Sequence, residues 1–230
     1  MCIGIASAFS ACSTDEDFFY QDEPRVRLVG DYTWAVGTDS ISFSFVAYPT
    51  TTTEQTFNVD AQIMGNPVDR DRTANISIDP QKTTADASLY TLPQTVTVPA
   101  GQTKGTFQVS VRRDASLQQK SARLYIKVDD SADFKKGVNE QDHLVIVWND
   151  ILSKPKNWAD LEEFFGTYSN TKYRFMLDNM VGMGELSIET MSWSMLNSLR
   201  IQFQNALNDY NAAHPGNPLT DENGQAVTFE

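Results

Sequence analysis

Between residues 41 and 148 apolar side chains recur at every second position, and this period of two constrains the fold more than any other feature. Ile41, Phe43 and Phe45 alternate with serines. Phe57, Val59, Ala61 and Ile63 alternate with Asn58, Asp60 and Gln62, and Phe107, Val109 and Val111 with Gln108, Ser110 and Arg112. Leu124, Ile126 and Val128 alternate with Tyr125 and Lys127. A strand turns successive side chains to opposite faces, so each set lays its apolar members on one sheet face and its polar members on the other. Val26 to Val29, Ile76 to Ile78, Val96 to Val98 and Leu144 to Trp148 complete about eight strands. Gly65-Asn66-Pro67, Asp79-Pro80 and Pro99-Ala100-Gly101 supply turns between them. With no helical pattern intervening, this spacing predicts a mainly β fold, an antiparallel β-sandwich.

Composition shifts near Ser153 to Lys156, from Thr, Ser, Val and Phe to Met, Leu and Asn. Beyond it the apolar spacing is helical. Asn157 is placed to cap Trp158 to Phe165, ended by Gly166, and Ser169 to cap a helix carrying Tyr173, Met176, Leu177 and Met180. A third helix, from about Ser194 to Ala213, carries Met195, Leu196, Leu199, Phe203, Ala206, Leu207 and Tyr210 as one stripe, and Pro215-Gly216 stops it. The stripe is expected to pack on its own body rather than form a Met-rich partner groove. Leu219 to Phe229 reads as a hairpin about Asn223-Gly224. The chain beyond residue 23 is long enough for a real hydrophobic core in one large domain or two small ones.

The N-terminus reads as an address. An apolar run from Ile3 to Phe9 leads through Ser10 and Ala11 to Cys12, followed by Ser13, Thr14, Asp15, Glu16 and Asp17. Apolar run, small residues and cysteine are the pattern of a bacterial lipoprotein signal, with lipid expected on Cys12. Residues 1–11 hold no Lys or Arg, so the positive start of such a signal is expected upstream of Met1. The chain has two cysteines, Cys2 and Cys12; cleavage removes one and acylation consumes the other, leaving no disulfide or thiolate metal site. Ser13 to Asp17 resembles the signal that sends Bacteroidetes lipoproteins to the outer face of the outer membrane. The expected layout is a signal over 1–11, an acidic tether over 12–23, the sandwich over 24–152 and the helical region over 153–230. No stretch approaches the roughly 20 apolar residues of a spanning helix, so the expected membrane contact is the lipid. A net charge of −12 excludes a nucleic-acid partner that needs clustered Lys and Arg.

Catalytic patterns are missing. The sequence has no Gly-x-Ser-x-Gly elbow, no phosphate-cradling glycine loop and no His-Glu-x-x-His, so neither catalytic residue nor cofactor is assigned. Its two histidines, His143 and His214, mark no nucleophile. Glu162-Glu163 and Asp129-Asp130 are paired carboxylates of the kind glycoside hydrolysis uses, but adjacent carboxylates are expected to be solvated. Asp69, Asp71, Asp129, Asp130 and Asp133 lie at strand ends as calcium ligands would, yet no glycine-bearing loop or closing glutamate accompanies them. No metal site is therefore expected. Sugar faces pack on aromatic rings, which makes Tyr32, Trp34 and Trp193 the candidate ligand platform; Trp148 and Trp158 are expected in the core.

Two likenesses add to this reading. Val96 to Val109, with its Pro99-Ala100-Gly101 turn, resembles a hairpin of Calx-β and related immunoglobulin-like domains. Most of the chain resembles a Bacteroidetes family of lipoproteins of unknown function with an immunoglobulin-like β-sandwich. The pieces that carry it are the Cys12 signal, Phe43 to Pro49, Asp69 to Arg72, Thr83 to Ala85, the Pro99 turn, Val111 to Arg113 with Leu117, Phe134 with Gly137, Trp148 to Leu152, Pro155 with Trp158, Gly166 to Ser169 and Lys172 to Phe175. Asp39-Ser40-Ile41 and Asp130-Ser131-Ala132 resemble Bacteroidetes O-glycosylation triplets. The family's association with glycan-utilisation loci implies a non-enzymatic, surface-exposed accessory protein, with glycans or outer-membrane uptake proteins as partners. The alternative expectation is a structural or adhesion module that contacts another envelope protein.

Overall fold

A computed structural model describes residues 23–30, 38–137, 140–180 and 191–229. Ten strands follow in order: β1 (Arg25–Gly30), β2 (Ser40–Ser44), β3 (Glu54–Met64), β4 (Arg72–Ile78), β5 (Tyr90–Thr91), β6 (Thr95–Val98), β7 (Lys104–Arg112), β8 (Ala122–Asp129), β9 (Lys135–Lys136) and β10 (His143–Asn149). Three α-helices follow among the described residues: α1 (Trp158–Phe165), α2 (Asn170–Asp178) and α3 (Trp193–Ala213). The strands form two five-stranded sheets, ordered β5-β7-β3-β1-β9 and β2-β10-β8-β4-β6. The protein is a β-sandwich with a helical C-terminal part, as the alternation predicts.

Register explains the alternation. In β3 and β7, Phe57 faces Val109 and Val59 faces Phe107, so these side chains share the inner face. They meet Leu124, Ile126, Leu144, Ile146 and Trp148 of the other sheet in one cluster. Burying each such side chain contributes about 1.5–3 kcal/mol. Trp148 is fully buried, and its indole Nε1 donates to the Arg112 carbonyl at 3.1 Å, which satisfies its one polar atom.

Four expectations for the sandwich need correction. Two pairings are parallel, β1 with β9 and β2 with β10, because side-chain period does not encode the direction of a distant partner. Phe45 lies in a 3-10 turn after β2, capped by the Ser44 hydroxyl, yet its ring still fills the core. Tyr125 is buried rather than on an open polar face. His143 stacks on its ring at 4.6 Å, and Lys82 Nζ lies 4.4 Å from the ring centre. The acidic loop residues are also bonded rather than merely solvated. Asp71 accepts from Ala100 N, Asp130 from Lys136 N, and Asp133 from Thr73 N at 2.8 Å and Arg70 at 2.7 Å. Ser131 of the second triplet donates its hydroxyl to the Thr73 carbonyl.

The two ends of the sandwich differ. The chain enters at Arg25, opposite Met64, and β3 runs from Met64 back to Glu54, opposite Arg112. Its 11 residues span about 35 Å. The helical part attaches at the Arg112 end, through Arg113 and Asp150.

The helices have a core of their own, built from Trp158, Leu161, Phe165, Met176, Leu199, Phe203, Leu207 and Phe229 among others. Ser169 caps α2 by accepting from Lys172 N, and Ser192 caps α3 by accepting from Met195 N. Asn157 precedes α1 without a side-chain capping bond, contrary to expectation; its φ of −88° and ψ of 13° are not the extended backbone of a capping residue. Gly166 ends α1 at φ 71°, a left-handed conformation that favours glycine. The stripe on α3 turns Leu196, Leu199, Phe203 and Leu207 inward, but Met195 is 41% exposed because it falls off the inward arc. The C-terminal hairpin holds a single bridge, Thr220 to Ala226. Among the described residues no helix is long and apolar enough to cross a membrane.

Candidate functional site

The junction between sandwich and helices centres on Asp150, just beyond β10. Its side chain is 3% exposed. A buried carboxylate must be paired and hydrogen-bonded. Arg113 does this with both arms: Nε donates to Oδ2 and Nη2 to Oδ1, each at 2.8 Å. Arg174 of α2 adds Nη2 to Oδ1 at 3.1 Å.

The same guanidiniums pin the segment after β2. Arg113 Nη1 donates to the Pro49 carbonyl at 2.8 Å, and Arg174 Nη1 to the Val46 carbonyl at 3.3 Å. One helical turn beyond Arg174, Asp178 accepts from Thr50 N at 2.8 Å and from the Thr50 hydroxyl at 3.2 Å. Positions four apart lie on one helix face, so α2 grips the loop with a cation and an anion together. The N-terminus of α2 is held in turn by Glu222 of the hairpin. Its carboxylate accepts from Asn170 N and Thr171 N, and the Asn170 bond is the main reason it sits below the usual carboxylate range.

This junction leaves a cleft of about 500 Å³. Phe175 and Tyr210 supply rings to its wall, Gln118, Gln119 and Asn170 supply amides, and Arg174, Asp150 and Asp178 supply charge. Concave sites with a few convergent polar groups favour such boundaries between structural units. Asp150 has both oxygens engaged by guanidiniums, so the cleft presents it as a scaffold rather than as a free acid or base. Among the described residues no group of three His, Cys, Asp or Glu side chains is arranged to hold a metal ion.

The sequence-predicted platform is not assembled here. Cys12, Ser13, Thr14, Asp15, Glu16, Asp17, Tyr32 and Trp34 lie outside the described residues. Trp193 is the first residue of α3 and 63% exposed; its ring meets Phe164 edge-on, and its Nε1 donates to Glu163 at 3.4 Å. It stands 17 residues before Tyr210, about 25 Å along the helix axis, and does not join the cleft. Trp148 and Trp158 are fully buried as expected. The cleft residues carried no functional signal of their own. Yet Phe43 to Pro49, Val111 to Arg113, Trp148 to Leu152 and Lys172 to Phe175, four separate pieces of the family resemblance, converge on Asp150.

Fold and junction together define a two-sheet β-sandwich protein with a docked helical cap. The chain belongs to the family DUF4843, a domain of unknown function, whose model matches residues 13–182. The matched stretch therefore contains all three members of the Arg113–Asp150–Arg174 cluster. No curated protein matches the chain. Among solved structures it is similar to Bacteroides thetaiotamicron EndoBT-3987 with Man5GlcNAc product, at 16% identity and TM-score 0.41, over 54% of this chain and 30% of that one. A Bacteroides ovatus protein provisionally described as carbohydrate-binding matches at 12% identity and TM-score 0.39, over 55% and 37%. The apo Calx CBD1 domain matches at 12% identity and TM-score 0.38, over 55% and 97%. The chain spans about a third of the length of the first two structures.

Proposed function

We propose that this protein is a surface-exposed outer-membrane lipoprotein that binds glycans in the junction cleft without transforming them. The lining of the cleft carries the binding reading: ring surface from Phe175 and Tyr210 beside the amides of Gln118, Gln119 and Asn170 and the guanidinium of Arg174. Sugar C–H faces pack on rings, and sugar hydroxyls need paired donors and acceptors at a concave surface. Lipid on Cys12 is the membrane tether, with Ser13 to Asp17 as the export signal; the sequence pattern supports both. The chain enters the sandwich at the end farthest from the cleft, which suits a tethered protein that presents its site outward. Tyr32, Trp34 and Trp193 remain further candidate sugar-stacking rings in this reading on the strength of the sequence alone, and uptake proteins of the outer membrane are the expected neighbours.

A glycan array probed with the wild type and with Tyr210→Ala tests the binding claim. Retention of a polysaccharide by the wild type and its loss in the variant are expected. A folded wild type that retains nothing overturns the claim. For the tether, palmitate labelling of cells that carry Cys12→Ala is expected to fall to background.

A second reading, an adhesion module that contacts another envelope protein, is favoured by Trp193 and Ile201, eight residues apart on the same side of α3 and 63% and 53% exposed. A stoichiometric protein partner from outer-membrane extract, without glycan affinity, would decide for it.

A further inference from the structure

The loop from α1 to α2 and the C-terminal hairpin enclose a second pocket, of about 530 Å³. The first turn of α2 contributes Asn170 and Thr171 to the junction cleft but Ser169 and Lys172 to this pocket, so one helical turn stands between the two.

Lys172 is 6% exposed, an unusual place for an ammonium. Its Nζ donates to the Phe165 carbonyl at 2.9 Å, at the end of α1, and lies 5.7 Å from the centre of the Phe229 ring. An ammonium carries three donors, and Phe165 is its single hydrogen-bond acceptor among the described residues. Gly166 passes close by: a Cβ there would lie 3.2 Å from Nζ, so the absent side chain keeps the ammonium open to the pocket. Asp221 lines the same pocket. Its Oδ1 accepts from Asn223 N and Gln225 N, both at 2.8 Å, and it makes no salt bridge with Lys172. Burial lowers the Lys172 ammonium from the usual lysine range, while the negative fields of Asp221 and Glu162 oppose that shift.

The pocket therefore offers, on one lining, spare ammonium donors and a carboxylate with spare acceptor capacity that are not joined in a salt bridge. A free anion would be repelled by Asp221. A neutral pair of neighbouring hydroxyls satisfies both groups, one oxygen accepting from Lys172 and the other hydroxyl donating to Asp221. We propose that the Lys172 pocket is a second sugar-hydroxyl site, filled by another residue of the same glycan chain that enters the cleft. This rests on the carbohydrate reading above, and it makes the ligand an oligosaccharide rather than a single sugar.

The test uses the full chain labelled with 13C-lysine and titrated with disaccharides and hexasaccharides of the cello-, malto-, xylo- and manno- series, with acetate as an anionic probe. A hexasaccharide is expected to move the Lys172 signal and to bind about tenfold tighter than its disaccharide, a difference near 1.4 kcal/mol. Lys172→Met loses that gain and keeps disaccharide binding, whereas Tyr210→Ala weakens both. Thr228→Trp, at the pocket rim, leaves the Phe165 bond intact and is expected to cause the same loss. Equal affinity for two and six units, a bound hexasaccharide that leaves Lys172 unmoved, or a response to acetate alone overturns the second site while leaving the cleft reading in place. Binding of no oligosaccharide overturns both.

Discussion

Asp150 and Arg113 form a two-pronged pair, with both contacts at 2.8 Å and side chains 3% and 9% exposed. The pair closes the far end of the sandwich and supplies the surface on which Arg174 docks α2. Removing one partner of a buried pair leaves the other charge stranded, which costs more than the pair itself contributes. Asp150→Ala is expected to lose about 3–5 kcal/mol in urea unfolding. The double variant Arg113→Met with Asp150→Leu recovers part of that loss. An unchanged midpoint for Asp150→Ala would show that the junction does not depend on the pair.

At Gly105 the backbones of the two sheets lie against each other. It sits in β7 opposite Ala61, and a side chain there would run into the backbone carbonyl of Thr97 in β6, a strand of the other sheet. Backbone yields less readily than a flexible side chain, so Gly105→Ala is expected to destabilise by about 1–3 kcal/mol. Calorimetry would show the lower melting temperature.

Lys172 gives stability a distinct dependence on alkali. The folded chain holds its proton less firmly than the unfolded chain, because burial disfavours the charged form. The unfolded state then binds more protons, and stability rises with pH from the folded Lys172 value up to the ordinary lysine range. Chemical denaturation across that window is expected to show the rise in wild type and a flatter profile in Lys172→Met. Parallel profiles would remove the assignment.

Asp133 acts in the opposite pH range. The Thr73 N–H first, and then Arg70, hold its carboxyl below the usual range. Its contribution is present above the ordinary carboxylate range and is lost as pH falls through the folded value. Asp133→Ala is expected to unfold at lower urea than wild type at pH 7, with the gap narrowing in acid. A gap independent of pH would mean that the residue acts through packing alone.

Much of the fold was legible in the residues themselves. Phe57, Val59, Phe107, Val109, Leu124 and Ile126 announce their strands and their inner face because strand period is a local property. Gly166, Ser169 and Pro215 mark helix ends for equally local reasons. Asn157 misled because a capping residue type does not guarantee the capping conformation, and Met195 because a helical stripe is broader than the arc that ends up inside.

The junction was not legible in that way. Asp150 lies 37 residues from Arg113 and 24 from Arg174, and nothing in their immediate neighbours marks them as partners. Local pattern determined most of the apolar side chains that leave water, since burial follows from period and apolarity, while Tyr125, Met195 and the buried charges Asp150 and Lys172 depart from it. Only the tertiary structure decided which strands pair in parallel, which charges meet at Asp150 and where the cleft opens. Those depend on how distant segments close on one another, and that closure is set by the packing of the whole chain.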